Sequence, residues 1–166
     1  MTEETTAADT STEQTQFSIQ RIYVKDISFE TPQGADAFQK QWKPKVSQDL
    51  NTKSKKISDD LYEVVLRVTI TMADEDSTLY LIEVEQAGLF TIKGFADQQL
   101  PQIINATCPN ILFPYLRDTI DNIVTKGSFP ALMLPPINFD ALFANAVQQA
   151  AEEAKNAQGS GSETKH

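Results

Sequence analysis

The chain is short of the residues that most enzymes need. It has one cysteine, Cys108, and one histidine, His166, in 166 residues. A thiol nucleophile needs a base within hydrogen-bond reach, and the only histidine is the last residue of a polar stretch, so a preorganised pair is not expected. A small apolar filler ahead of a helix is the plainer role for Cys108. One Cys and one His cannot form a zinc cage. Asp74, Glu75 and Asp76 superficially resemble a calcium loop but lack the remaining ligand spacing, which reads as a solvated turn. Phosphate-cradling glycine motifs are absent too. The expectation is a binding protein with no catalytic residue, no metal and no cofactor.

Long apolar runs are also missing. Nothing reaches the roughly 18 residues of a membrane span, and MTEETTAADTSTEQTQ lacks the basic start and apolar stretch of a secretory signal. A lone cysteine fits a reducing compartment, and a cytoplasmic protein is expected. Positive charge is scarce: the formal net charge is −9, which argues against nucleic acid and anionic membranes and for a basic protein partner.

What is present is alternation followed by helical spacing. Residues 1–16 are acidic and polar, and a disordered tail is expected there. FSIQRIYVKDISFE (17–30) reads as a strand with Phe17, Ile19, Arg21, Tyr23, Lys25, Ile27 and Phe29 on one face and Ile22, Val24, Asp26, Ser28 and Glu30 on the other. Residues 45–52 form a short strand with Val46, Gln48 and Leu50 together. In 59–72, Tyr62, Val64, Leu66, Val68, Ile70 and Met72 make an apolar row. In 77–93, Tyr80, Ile82, Val84, Gln86, Gly88, Phe90 and Ile92 oppose Leu79, Leu81, Glu83 and Glu85. After Asn110, read as a helix cap, Leu112, Leu116, Ile120, Ile123 and Val124 recur at helical spacing, and Asn138 caps a second helix whose apolar side is Phe139, Leu142, Phe143, Ala146, Val147 and Ala150. The fold class is therefore α+β, a four-stranded antiparallel sheet with two C-terminal helices on one face. The domain spans 17–154, with 155–166 a flexible tail.

Two surfaces call for explanation. Asp26, Glu30, Glu63, Glu83 and Glu85 share one sheet face with Ile22, Val24, Leu79 and Leu81; this is either an ordinary wet face or a docking patch. Phe38, Trp42, Phe113, Tyr115, Phe129, Leu132, Met133 and Leu134 exceed what regular elements require, and are either core under a long loop or an open apolar groove.

QRIYVKDISFE, Trp42 followed by Pro44 and Lys45, DDLYEVVLRVT, LIEVEQAGLF, CPNILFPY and FPALMLPPINFDALF together resemble the SecB family of bacterial protein-export chaperones, over about 17–150. The resemblance implies a SecB-like homotetramer, a dimer of dimers. It would hold unfolded precursor proteins without ATP and pass them to the translocation motor SecA, whose basic C-terminal segment carries its own zinc. Asp26, Glu30, Leu81 and Glu83 fall at positions the family uses to bind SecA. Ile82, Val84 and Gln86 fall at positions that govern tetramer assembly, and Leu116 and Ile120 lie on the interface helix. A client groove is expected from Phe38, Trp42, Val46, Leu50, Phe113, Tyr115, Phe139, Leu142 and Phe143. Ile82 stands where cysteine is common in the family, Ala87 where glycine is, Leu116 where alanine is, and Met133 where a polar residue is. Direct membrane insertion is not implied. Rival readings are a SecB-like chaperone dedicated to a toxin–antitoxin pair, a small hydrophobic-ligand carrier, and a cysteine hydrolase.

Overall fold

The computed structural model describes residues 14–75 and 77–159. The expected tail over 1–16 lies outside the described residues up to 13, and Asp76 and 160–166 lie outside them as well. Four strands follow in order: β1 (Gln16–Glu30), β2 (Pro44–Lys56), β3 (Leu61–Asp74) and β4 (Ser77–Lys93). They form one antiparallel sheet in the order β1-β4-β3-β2, so β1 and β2 are the two edges. The crossover between the edges holds a 3₁₀ turn, Gly34–Phe38. Asp74 anchors its end by accepting the Lys43 amide at 2.8 Å, so that buried carboxylate is a clasp on the crossover rather than part of a cation loop.

β2 runs four residues beyond the expected 45–52 at its C-terminal end. The extra residues, Lys53–Lys56, include three lysines, which suit an edge strand because they discourage pairing with other chains. Its first residue is Pro44, where no ladder donor is needed.

Period-two reading holds along β3 and most of β4. Val64, Leu66, Ile70, Ile82, Val84 and Phe90 are fully buried on the face that carries the helices. β1 departs from it. Its pairing with β4 slips between Ile19 and Arg21 and again between Val24 and Asp26. Each β-bulge adds one residue and moves every later side chain to the other face. Ile22 and Val24 therefore pair with Gly88 and Gln86 on the helix side, not with the carboxylates as expected, while Arg21 and Tyr23 move to the outer face. A further slip, after Met72, makes Leu79 an extra residue, and it is fully buried in the core rather than on the acidic side. The two bulges in β1 cancel, so Asp26, Ser28 and Glu30 lie on the outer face as expected.

The helical part also starts earlier than the cap at Asn110 suggests. One turn of helix α1 (Leu100–Gln102) runs through a π-helical turn, Ile103–Thr107, into α2 (Cys108–Lys126). The Cys108 amide reaches back five residues to the Ile103 carbonyl. Pro109 has no N–H to offer the preceding turn, so the wider winding there sacrifices little. Asn110 is inside the helix and donates to Asp140 instead, at 3.3 Å. Leu112, Leu116, Ile120 and Val124 form the buried stripe that seats α2 on β3 and β4. Gly88 permits the close seating, because a Cβ there would stand 3.0 Å from Leu112 and 2.5 Å from the Phe90 ring.

The linker after α2 is held by Asp121, whose Oδ1 accepts the amides of Leu132 and Met133 at 3.0 and 3.1 Å. Asn138 then caps α3 (Phe139–Gly159), its Oδ1 accepting the Ala141 amide at 2.9 Å. α3 continues past residue 155, where the tail was expected to begin. Phe139 is buried against Phe113, but from Ala144 to Ala157 every residue of α3 is exposed.

Candidate functional site

The helix side of the sheet carries two clefts, both opening along edge strand β2. The larger, about 540 Å³, lies between the middle of β2 and α3. Leu50, Asn51 and Thr52 form one wall; Phe139, Leu142, Phe143, Ala146, Val147 and Ala150 form the other, with Asn105 of the π-helical turn at one end. Leu142 and Val147 are 48% and 53% exposed, a high value for large aliphatic side chains. The smaller cleft, about 220 Å³, lies at the start of β2 beneath the linker. Trp42, Val46, Met72, Leu79 and Tyr80 line it together with Phe129–Leu132. An aromatic cluster shapes this end: Phe129 lies 5.2 Å from Phe38, 5.4 Å from Trp42 and 4.9 Å from Tyr80, ring centre to ring centre. The Trp42 indole N–H donates to the Ala37 carbonyl, which fixes the ring.

The expected single groove is thus divided. Leu50, Phe139, Leu142 and Phe143 belong to the larger cleft, and Trp42 and Val46 to the smaller, with Phe38 beside it. Phe113 is buried behind Phe139 and lines neither cleft. Tyr115 is 52% exposed on α2 and also lines neither. Phe129 and Leu132, which the sequence left open between core and groove, line the smaller cleft, and Ala146, Val147 and Ala150, which were not expected in the groove, line the larger. The helical stripe after Asn138 already contained the last three, and its lack of an apolar partner in the chain was the usable signal.

The outer face of the sheet is charged, with its signs segregated. Asp26 stands directly opposite Glu85, Ser28 opposite Glu83, and Glu30 opposite Leu81. Two carboxylates in direct cross-strand register oppose folding. Arg67 is the cation that pairs with this group. Arg67 donates to Glu83 at 2.7 Å and lies 3.9 Å from Glu85, and Thr69 donates to Glu83 at 3.0 Å. The Arg67 bond holds the Glu83 carboxyl below its ordinary range, with Thr69 assisting. Towards the other end of the face, Lys25 pairs with Glu63 at 2.8 Å, and the Tyr23 hydroxyl donates to the same carboxylate. Hydrogen bonds from Lys25 and Tyr23 lower the Glu63 pKa, while burial first, and the Glu63 bond second, push Tyr23 up to about 12. Arg67 and Tyr23 were not among the expected site residues. The apolar companions expected on this face reduce to Leu81, since Ile22, Val24 and Leu79 have turned inward.

Ile82, Val84, Gln86, Leu116 and Ile120 are all buried within the chain beneath α2. Gln86 is the polar member of that layer, with Thr119 Oγ1 at a long 3.5 Å. Cys108 is fully buried, and burial pushes its thiol up to about 12, so it is protonated at neutral pH and unsuited to nucleophilic attack. No group of three or more metal-ligating side chains occurs among the described residues. No described helix is long and apolar enough to cross a membrane.

Comparison with known proteins gives a consistent answer. The family model described as preprotein translocase subunit SecB matches residues 10–150. A protein-export protein SecB of Hahella chejuensis is 58% identical over 147 residues, covering 84% of this chain and 92% of its own length. One from Marinobacter nauticus is 53% identical, covering 89% and 90% respectively. In structure, a SecB-like chaperone of Mycobacterium tuberculosis, solved with a ChAD peptide from an antitoxin, superposes with a TM-score of 0.60. It covers 73% of this chain and 90% of that one at 15% identity, a likeness of fold.

Proposed function

The chain belongs to the SecB family, and from that premise we propose that it is an ATP-independent chaperone that holds precursor proteins unfolded and delivers them to SecA for export. The observation that carries this reading is the larger cleft, an open apolar trough about 540 Å³ in volume with Leu142 and Val147 presented to solvent. Burying apolar surface is worth roughly 25 cal/mol per Å², so a few hundred Å² of contact gives several kcal/mol before ordering costs. Such contacts discriminate poorly between sequences. They select chains whose apolar segments are still exposed, which is to say chains that have not folded.

SecA docks on the outer face at Asp26, Glu30, Leu81 and Glu83. The Asp26–Glu85 opposition, which Arg67 offsets only in part, supports this, because a basic segment laid across β1 and β4 relieves it. The assembly is a homotetramer, a dimer of dimers. The free edge of β1 and its half-exposed Ile19, Val24 and Ile27 support pairing with a second copy. Ile82, Val84, Gln86, Leu116 and Ile120 influence assembly by setting where α2 rests rather than by touching a partner. Four linked copies make successive client contacts intramolecular, and so convert weak sites into firm holding. The work is cytoplasmic and breaks no bonds. The export-protein relatives at 58% and 53% identity favour this over the toxin–antitoxin reading.

The test is Glu83→Lys, with native mass spectrometry in the presence of an unfolded precursor and of SecA. SecA binding is expected to vanish while client stoichiometry and subunit count stay unchanged. Equal SecA affinity for variant and parent at low salt refutes the assignment of the face, and failure of the parent to bind unfolded chains refutes the chaperone reading.

A further inference from the structure

The outer face also has a cationic quarter that the docking of a basic partner does not use. Lys55, Glu63, Leu89 and Arg21 form one row across the sheet, and Lys53, Val65, Ala87 and Tyr23 the next. Lys25, the second bulged residue of β1, reaches across β4 to Glu63. Together Lys25, Lys53 and Lys55 border a shallow depression of about 300 Å³, with Glu63, Val65 and Glu85 on its floor. Both floor carboxylates already have cations of their own, Glu63 in Lys25 and Glu85 in Arg67. Among the described residues neither Lys53 nor Lys55 forms an ion pair; Lys55 stands opposite Glu63, which already has Lys25, and Lys53 acts on Glu83, which already has Arg67, so positive charge is left over on a chain of net charge −9.

The opposite composition is found in the segment preceding Gln14. Residues 1–13 contain Glu3, Glu4, Asp9 and Glu13 and no lysine or arginine. The segment joins the sheet at the end where β2 finishes: Gln14 lies against Gly94, and Gln16 pairs with Lys93. From the start of β1 to the Lys53–Lys55 rows is three strand spacings across and about six residues along, or roughly 25 Å. Thirteen residues extend to roughly 45 Å, so the acidic segment covers that distance with slack.

We infer that the Lys25–Lys53–Lys55 depression is the docking site of this chain's own N-terminal segment, residues 1–13. Docked there, the segment neutralises the cationic quarter and extends negative charge over the outer face. It thereby deters acidic proteins from the edge of the sheet and strengthens the field that attracts a basic partner. The contact is between exposed charges, so it is weak, reversible and sensitive to salt. It stands independently of the client-holding reading.

Zero-length carbodiimide coupling of the full-length protein, mapped by mass spectrometry, tests it. The expected result is amide links from Lys53 or Lys55 to Glu3, Glu4, Asp9 or Glu13, several-fold above links to the exposed Lys40 and Lys155. These links should drop several-fold in 0.5 M salt, and the Lys55 links should fall several-fold in Lys25→Gln/Lys53→Gln, which removes neighbouring charge but leaves the coupling amine. In a mixture of light and heavy isotope-labelled protein they should join peptides of the same label. Tail carboxylates coupling evenly to all exposed lysines, links unaffected by salt, or links mainly between different labels would each overturn the proposal. Neither substituted lysine supports the core, so loss of folding does not obscure the result.

Discussion

Replacing Leu142 with aspartate separates the cleft from the rest of the apolar surface. Leu142 lies in the first turns of α3 and lines the larger cleft while remaining 48% exposed. Full burial of a leucine is worth about 1.5–3 kcal/mol, so a client that covers the remaining half gains about 1 kcal/mol there. Desolvating an aspartate against the same client costs a further 1–3 kcal/mol, approximately. The sum, about 2–4 kcal/mol, weakens a single site by roughly 30- to 700-fold. Folding should be unharmed, because the side chain is half in water already and a carboxylate near a helix N-terminus is favourable. Tyr115→Asp is the matched control. Tyr115 is similarly exposed at 52% but lies outside both clefts, so its replacement should leave affinity within twofold. The assay is fluorescence anisotropy of a labelled, permanently unfolded polypeptide, with thermal unfolding measured for each variant. If Leu142→Asp binds like the parent, or if both variants lose affinity equally, the clefts are not where clients sit.

Other consequences can be checked on the isolated protein. The Tyr80 hydroxyl is buried without a partner among the described residues, and burial with the nearby Asp121 charge pushes it up to about 12; Tyr80→Phe should leave urea stability unchanged or raise it by up to about 1 kcal/mol, and a clear loss would reveal a missed hydrogen bond. Gly88→Ala places a methyl group against Phe90 and Leu112 and should lower the denaturation midpoint by the equivalent of about 1–3 kcal/mol; an unchanged midpoint would mean that α2 is loosely seated. Cys108 has about a thousandfold less thiolate than an ordinary cysteine, so iodoacetamide at pH 8 should label it only after denaturant is added; rapid labelling of the native protein would contradict its burial. The folded-state pKa values of Glu63 and Glu83 are lowered, so their contribution to stability is complete above the ordinary glutamate value of 4.5 and is lost as pH falls through the lowered values; melting temperature should be flat from pH 7 to about 5 and decline below about 4.5.

How much of this was legible in the sequence depended on whether one residue advanced one step. In β3 and most of β4 it did, and alternation placed Leu66, Ile70, Ile82 and Phe90 correctly. Gln20 and Lys25 are ordinary strand residues, and nothing in their chemistry marks a bulge, so Ile22, Val24 and Tyr23 were assigned to the wrong faces. Asp26 and Glu30 came out right because two slips restore the original parity. Leu79 failed for the same reason as Ile22. The π-helical turn was hidden because its winding depends on the missing amide of Pro109, a backbone property that side-chain periodicity does not register. The strand expected over 45–52 stopped short of Lys53–Lys56 because lysine is uncommon in strand interiors, although it is well suited to an edge. The groove was overdrawn by counting aromatic residues without knowing which faces of α2 they occupied. Phe113 faces inward and Tyr115 faces water.

The two proposed surfaces occupy opposite faces of a single sheet, and this constrains how a client is passed on. A partner docked at Asp26, Glu30 and Glu83 is separated from the clefts by the sheet itself and by the Leu66–Ile82–Leu116 layer, so it cannot displace a client by competing for the same atoms. Release must then come from the weakness of each contact. A segment held by a few kcal/mol dissociates and rebinds continually, and a partner tethered nearby captures it during the interval. Docking through exposed charges suits that role, since it raises local concentration without demanding a rigid fit. Added salt should therefore slow transfer by loosening the docked partner, while apolar holding in the clefts persists or strengthens. An assay that follows holding and transfer separately across a salt series would see the two diverge; parallel loss of both would mean that charge, not apolar burial, holds the client.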